Sequence, residues 1–151
     1  MSDLPRDIPS LLVPMRERPW LVPETLLAEV LPLRHPERPG RGRDWLLGWI
    51  RWRDEELPLV SFERLNQTGP VVVGEGARIG VLRGLGGVLP HYAMVFQGEP
   101  QPLTVAPTAL QDTGSGRGPM EAHRVQVAGE SAVVPDLDAL ETVLAGLYAE
   151  A

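Results

Sequence analysis

"LLGWIRWRDEELPLVSFERL", residues Leu46 to Leu65, is the stretch whose reading decides the fold. On its first arm Ile50 and Trp52 point to one side, and Trp49, Arg51 and Arg53 to the other, because side chains along a strand alternate. Asp54 and Glu55 form a polar tip. Leu57, Leu59, Val60 and Phe62 continue along a return arm. The pattern predicts a β-hairpin with one buried face. A plain half-buried hairpin accounts for the alternation, but not for the residue types on the outer face. Trp and Arg are the side chains most enriched at binding hot spots, so the face carrying Trp49, Arg51 and Arg53 is a candidate interaction surface.

Working outward, the same hairpin grammar recurs. "IPSLLVPM" and "RERPWLVP" read as two short strands turning at Arg16 to Arg18. "ETLLAEVLPL", Glu24 to Leu33, reads as one helical turn feeding a strand that ends before Pro32. "RHPERPGRGRD", Arg34 to Asp44, reads as an irregular loop. Val71 to Val73 reads as a strand, and "HYAMVFQGEPQPLTVAP" as strand, turn at Gln97 to Glu99, and strand. Asp112 to Pro119 reads as a flexible loop without a ligand. "HRVQVAGESAVVP" reads as a hairpin turning at Gly129. Leu137, Leu140, Leu144 and Leu147 fall on one helical stripe that Asp136 can cap, with Asp138 in the first turn. The chain is therefore expected to be mainly β, a small barrel or pair of barrels with one C-terminal helix.

Composition bounds the function. The 151 residues carry a formal net charge of −6, which argues against a general affinity for nucleic acid. There is no cysteine, which removes disulfides, thiolate nucleophiles and zinc–thiolate sites. The early acids and the lack of a long apolar run argue against a signal peptide or a spanning helix. A cytoplasmic protein without direct membrane insertion is the expectation. Gly and Pro number 16 each and punctuate the whole chain, which favours short strands over long helices.

No catalytic set assembles from the sequence. Gly74, Gly76 and Gly80 follow an apolar run and suggest a dinucleotide-binding turn, so an enzyme using the Gly74 to Gly80 loop on a nucleotide is one alternative. The spacing is one residue too long, and "ARIGVLRGLGG" lacks the helix such a turn must feed. His35, His91 and His123 are isolated in sequence. Glu55 and Glu56 are successive on a strand and face opposite sides. Ser61 and Ser131 lack a nucleophile-elbow context. No enzymatic activity, no cofactor and no metal are expected.

The order of the pieces resembles the CheW-like family of chemotaxis coupling proteins. "LLVP" is followed by Leu27-Ala28-Glu29-Val30, matching V-x-E-I, and then by a Pro-containing loop. Gly48-Trp49-Ile50-Arg51-Trp52-Arg53-Asp54 matches G-x-I-N-x-R-G, with Pro58 and Leu65 continuing it. "SAVVPDLDALE" resembles the family's last strand and helix start. Arg51 stands where the family has Asn and Asp54 where it has Gly, and "VLRGLGGVLPHYAMV" replaces an expected V-D-x-V. The likeness is greatest to the variant members of type IV pilus chemosensory systems, of the ChpC kind.

The resemblance implies two small SH3-like β-barrels packed on a shared core within a single domain. The first barrel is expected over roughly 8–68, the second over 69–134, and the helix over 136–148. It implies a non-catalytic scaffold, recruited to membrane-associated receptor arrays, that couples methyl-accepting chemoreceptors to a CheA-type histidine kinase of a two-component signal-transduction pathway. The output expected is twitching motility. A receptor-binding protein without kinase coupling is the alternative within the same class. The receptor-interface residues so implied are Glu29, Arg53 and Leu27, with Trp49 and Arg51 widening the patch.

Overall fold

The structure, a computed structural model, describes residues 7–71, 73–87, 89–106, 111–112 and 118–149. In chain order the strands are β1 (Ile8–Val13), β2 (Trp20–Pro23), β3 (Leu27–Pro32), β4 (Arg38–Pro39), β5 (Leu46–Trp52) and β6 (Glu55–Val60). They continue as β7 (Arg78–Arg83), β8 (His91–Phe96), β9 (Gln101–Val105), β10 (Gln111–Asp112), β11 (Glu121–Val127) and β12 (Glu130–Pro135). A 3-10 turn spans Glu24–Leu26, a short α1 spans Phe62–Leu65, and α2 spans Leu137–Ala149.

Two six-stranded sheets form. One has the order β10-β11-β12-β2-β1-β9 and the other β3-β7-β8-β6-β5-β4. The second sheet is thus built from one continuous run, residues 27–96, inserted between the strands of the first. This cuts across the expected division at residues 68 and 69. The cause lies in the pairing: β1 joins β9 antiparallel and β2 joins β12 in parallel, so the N-terminal hairpin belongs with the last strands.

Side-chain alternation sorts the core into three parts. Leu11, Val13, Trp20 and Val22 of the first sheet meet Val60, Tyr92, Met94 and Phe96 of the second, with Leu140 and Leu144 of α2 on the same cluster. This is the shared core. Ile50, Trp52, Leu57, Leu59, Ile79, Val81, Ala93 and Val95 fill the second sheet's own interior. Leu21, Val105, Val125, Val127 and Ala132 fill that of the first. Strand β8 therefore has cores on both faces, which is why "HYAMVF" reads as a nearly continuous apolar run. Gly80 on the adjacent β7 leaves room for the Phe96 ring, since a Cβ there would meet ring carbons at 2.1 Å.

Several expectations are modified. The hairpin turn is Arg53–Asp54, one residue earlier than expected: Trp52 pairs with Glu55, and φ is +46° at Arg53 and +66° at Asp54. A two-residue loop with both residues left-handed is the turn whose twist matches a hairpin. Arg53 consequently lies in the turn and not on the Trp49 and Arg51 face. Val71 and Val73 are exposed and in no strand, and Val72 lies outside the described residues. Of the Asp112 to Pro119 loop, residues 113–117 lie outside them too, whereas Asp112 closes β10. The Arg34 loop contains β4, paired with β5. The Gly74 to Gly80 segment runs into strand β7 where a dinucleotide turn would need a helix. The C-terminal helix begins as expected, with Ala139 N–H donating to Asp136 Oδ1 at 3.0 Å.

Candidate functional site

The hairpin tip brings Glu29 and Arg53 together across 24 residues of sequence. Glu29 pairs with Val81 across β3 and β7, so it points toward the second sheet's interior at its open end. There its Oε1 accepts hydrogen bonds from Trp52 Nε1 at 2.9 Å and from Arg53 Nη2 at 3.3 Å. The Arg53 guanidinium lies over the Trp52 ring, 4.5 Å from its centroid. The His91 ring tilts against the same indole at 4.7 Å, and its Nδ1 lies 3.3 Å from a Glu55 carboxylate oxygen. A half-exposed carboxylate, an exposed guanidinium and an imidazole thus surround the buried indole. The cation–π contact and charge-assisted bond fix the direction of Arg53 while most of its side chain faces solvent, 68% exposed.

Leu27 stands at the start of β3, partly buried against the shared core. Arg83 Nη1 ties that corner by donating to the carbonyls of Thr25 and Leu27, each at 2.7 Å.

Trp49 and Arg51 belong to a different surface. Trp49 packs edge-on to Tyr148 of α2 at 6.2 Å and beneath the Arg38 guanidinium at 4.7 Å. Arg38 in turn holds Glu56 at 2.7 Å. That hydrogen bond, with the charges of Arg38 and Arg51 behind it, keeps the Glu56 carboxyl below its ordinary value against a smaller effect of burial. Arg51 is exposed, and its backbone N–H donates to Glu37 Oε1 at 3.0 Å. The expected five-residue patch therefore divides: Glu29 and Arg53 meet at the tip, Leu27 faces the shared core on the other side of β3, and Trp49 and Arg51 lie on the outer face of β5.

Glu55 was expected at the tip, but the approach of His91 to it could not be read from the sequence, because it depends on the parallel pairing of β6 with β8. Alternation marks Trp52 as core alone, whereas its indole N–H anchors Glu29. His123 likewise meets a carboxylate, Asp112 Oδ2 at 2.7 Å. Among the described residues no group of three or more His, Cys, Asp or Glu could hold a metal ion, and no helix is long and apolar enough to cross a membrane.

The architecture defines a β-rich body of two sheets on a common core, closed by one helix. It is shared with a solved scaffold: the chain is similar to the scaffolding protein TtCheW from Thermoanaerobacter tengcongensis, with a TM-score of 0.71 and 10% identity. The match covers 87% of this chain and 89% of that one. No family model and no curated protein matches the sequence.

Proposed function

We propose that the protein is a non-catalytic chemosensory adaptor that couples a methyl-accepting receptor to a CheA-type histidine kinase. The observation that carries this reading is the Glu29–Trp52–Arg53 constellation, formed by the two segments, V-x-E-I and R-G, through which the sequence resembles coupling proteins. The scaffold fold supports it. In this reading Arg53, held by Glu29 and Trp52 yet open to solvent, donates to carboxylates or helix-end carbonyls of a receptor tip. Its planar fork suits such a site because little orientation is lost on binding. Two surfaces on one rigid body then hold receptor and kinase in a fixed relation. No cofactor takes part. Control of type IV pilus motility belongs to this proposal through the likeness to the ChpC kind of sequence.

The kinase-side assignment has a narrower basis. The segment replacing V-D-x-V ends β7 and begins β8, and in the connection between them the Leu85 and Gly86 N–H groups donate to the Glu141 carboxylate at 2.9 and 3.0 Å. That tether favours, as a second reading, an adaptor that binds receptors without engaging a kinase.

A pull-down from the native host, with retained partners identified by mass spectrometry, tests both readings. Recovery of receptor and kinase supports coupling. Receptor alone supports the second reading. Recovery of neither overturns both.

A further inference from the structure

The Arg53 tip holds a second ring beside the Trp52 indole. His91 stands at the start of β8, half-buried, with its imidazole tilted against the indole at 4.7 Å. The Arg53 guanidinium lies over that same indole at 4.5 Å. One buried indole thus carries a permanent cation and an imidazole together, and imidazole is the side chain that gains charge near neutral pH. The His91 Nδ1 lies 3.3 Å from both carboxylate oxygens of Glu55. A carboxylate only accepts, so Nδ1 carries the hydrogen, and the proton gained on acidification enters at Nε2. The hydrogen bond to Glu55 then becomes an ion pair with no rearrangement of the ring.

The surrounding charges decide what that proton does. Glu55 faces His91 from β6, Glu29 lies across the indole on β3, and Arg83 is the cross-strand partner of His91 on β7. Arg53 and Asp54 form the turn. Of these groups three are carboxylates and two are guanidiniums, and Arg83 is committed to the carbonyls of Thr25 and Leu27. With His91 neutral the tip has an excess of negative charge, which opposes the approach of an acidic partner to Arg53. With His91 charged that excess is cancelled. We propose that His91 makes the tip pH-responsive: its protonation against Glu55 strengthens the hold of Arg53 on a receptor carboxylate, so receptor binding tightens as pH falls. This rests on the receptor reading of the Arg53 tip and commits that site to a carboxylate over helix-end carbonyls. By linkage, receptor binding also takes up a proton.

The probe is the signalling fragment of a methyl-accepting receptor from the native host, titrated with the full chain by isothermal calorimetry between about pH 8 and about pH 5, the span in which imidazole changes charge. Affinity should rise roughly two- to fivefold toward the acidic end, the worth of one partly exposed charge pair. Midway, the measured heat should vary with the ionisation enthalpy of the buffer, as proton uptake requires. His91→Gln keeps an N–H for Glu55 but cannot gain charge, so it should lose the rise and match the parent at the basic end. Glu55→Gln removes one carboxylate and should bind at the basic end about as tightly as the parent does at the acidic end. Melting curves of both variants establish that the fold is retained. A rise in His91→Gln as steep as the parent's, or a Glu55→Gln that binds no tighter at the basic end, overturns the proposal and leaves the receptor reading standing. Absence of binding at every pH, in parent and variants alike, overturns the receptor reading and the proposal with it.

Discussion

At the hairpin tip the Arg53 guanidinium lies 4.5 Å from the Trp52 ring centroid and 3.3 Å from Glu29 Oε1. Arg53→Glu removes both contacts and sets a second carboxylate beside Glu29. Against a receptor signalling fragment, a binding isotherm should show a loss of roughly 2 kcal/mol or more, about thirtyfold. An exposed ion pair contributes about 0–1 kcal/mol to folding, so Tm should fall by no more than about 2–4 °C. Unchanged binding would remove the tip from the receptor surface. The buried Glu121 tests a different residue. Burial alone would raise its carboxyl, but hydrogen bonds from Arg124 at 2.8 Å and Asn66 at 2.6 Å outweigh that and hold it below its ordinary value of 4.5. Its stabilising contribution is therefore complete above about pH 4.5 and is lost as pH falls through the lower folded value. Glu121→Gln should cost about 1–3 kcal/mol at neutral pH by leaving donors poorly matched. The gap in Tm between the two proteins should close on acidification, as scanning calorimetry across pH can follow.

Strand alternation was legible wherever one face is buried and the partner is near in sequence. In β5 and β6 the period of two put Ile50, Trp52, Leu57 and Leu59 on the right side, and all four are buried. The turn was displaced by one residue because Arg and Asp are not the residues that advertise a left-handed pair. The resemblance assigns glycine to position 54, and a φ of +66° gives the physical reason for that preference. Asp54→Gly should raise stability by up to about 1 kcal/mol by relieving left-handed strain, without disturbing Arg53; urea melts would register it as a higher midpoint. Strand β7 gives the opposite case. At Gly80 an added methyl meets the Phe96 ring, itself buried beside Trp20. Gly80→Ala should cost about 1–3 kcal/mol through overpacking. Adding Phe96→Leu should recover part of the Gly80→Ala loss, and strictly additive energies in that cycle would show that the ring is not the obstacle. The glycines around Gly80 invite a nucleotide reading from sequence; the bulk of Phe96, sixteen residues further on, is what gives this one its purpose.

Across the whole molecule, the elements were mostly visible in the sequence and their assembly was not. Local period reveals a strand but not its neighbour, and four pairings here, β1 with β9, β2 with β12, β3 with β7 and β6 with β8, join segments far apart in sequence. The same limit hid half of the candidate site, because Tyr148 reaches Trp49 only once α2 has crossed the shared core. A direct check is a fragment of residues 1–68, which contains β1 and β2 without the strands that flank them. It should show no cooperative thermal transition by circular dichroism, whereas a self-contained first barrel would melt as a unit. The insertion of residues 27–96 within the other sheet also has a consequence at the ribosome. Hairpin β1–β2 is made early, yet β9 begins at Gln101, 78 residues after Pro23 (101 − 23). At about 5–20 residues per second that interval lasts roughly 4–16 s. A lone two-stranded hairpin is marginal in water, and this one carries Leu11, Val13, Trp20 and Val22, which are buried in the finished fold. During synthesis that apolar hairpin waits unsheltered, so nascent-chain chaperones have their longest opportunity at the beginning of this chain, and overproduction should outpace them there first.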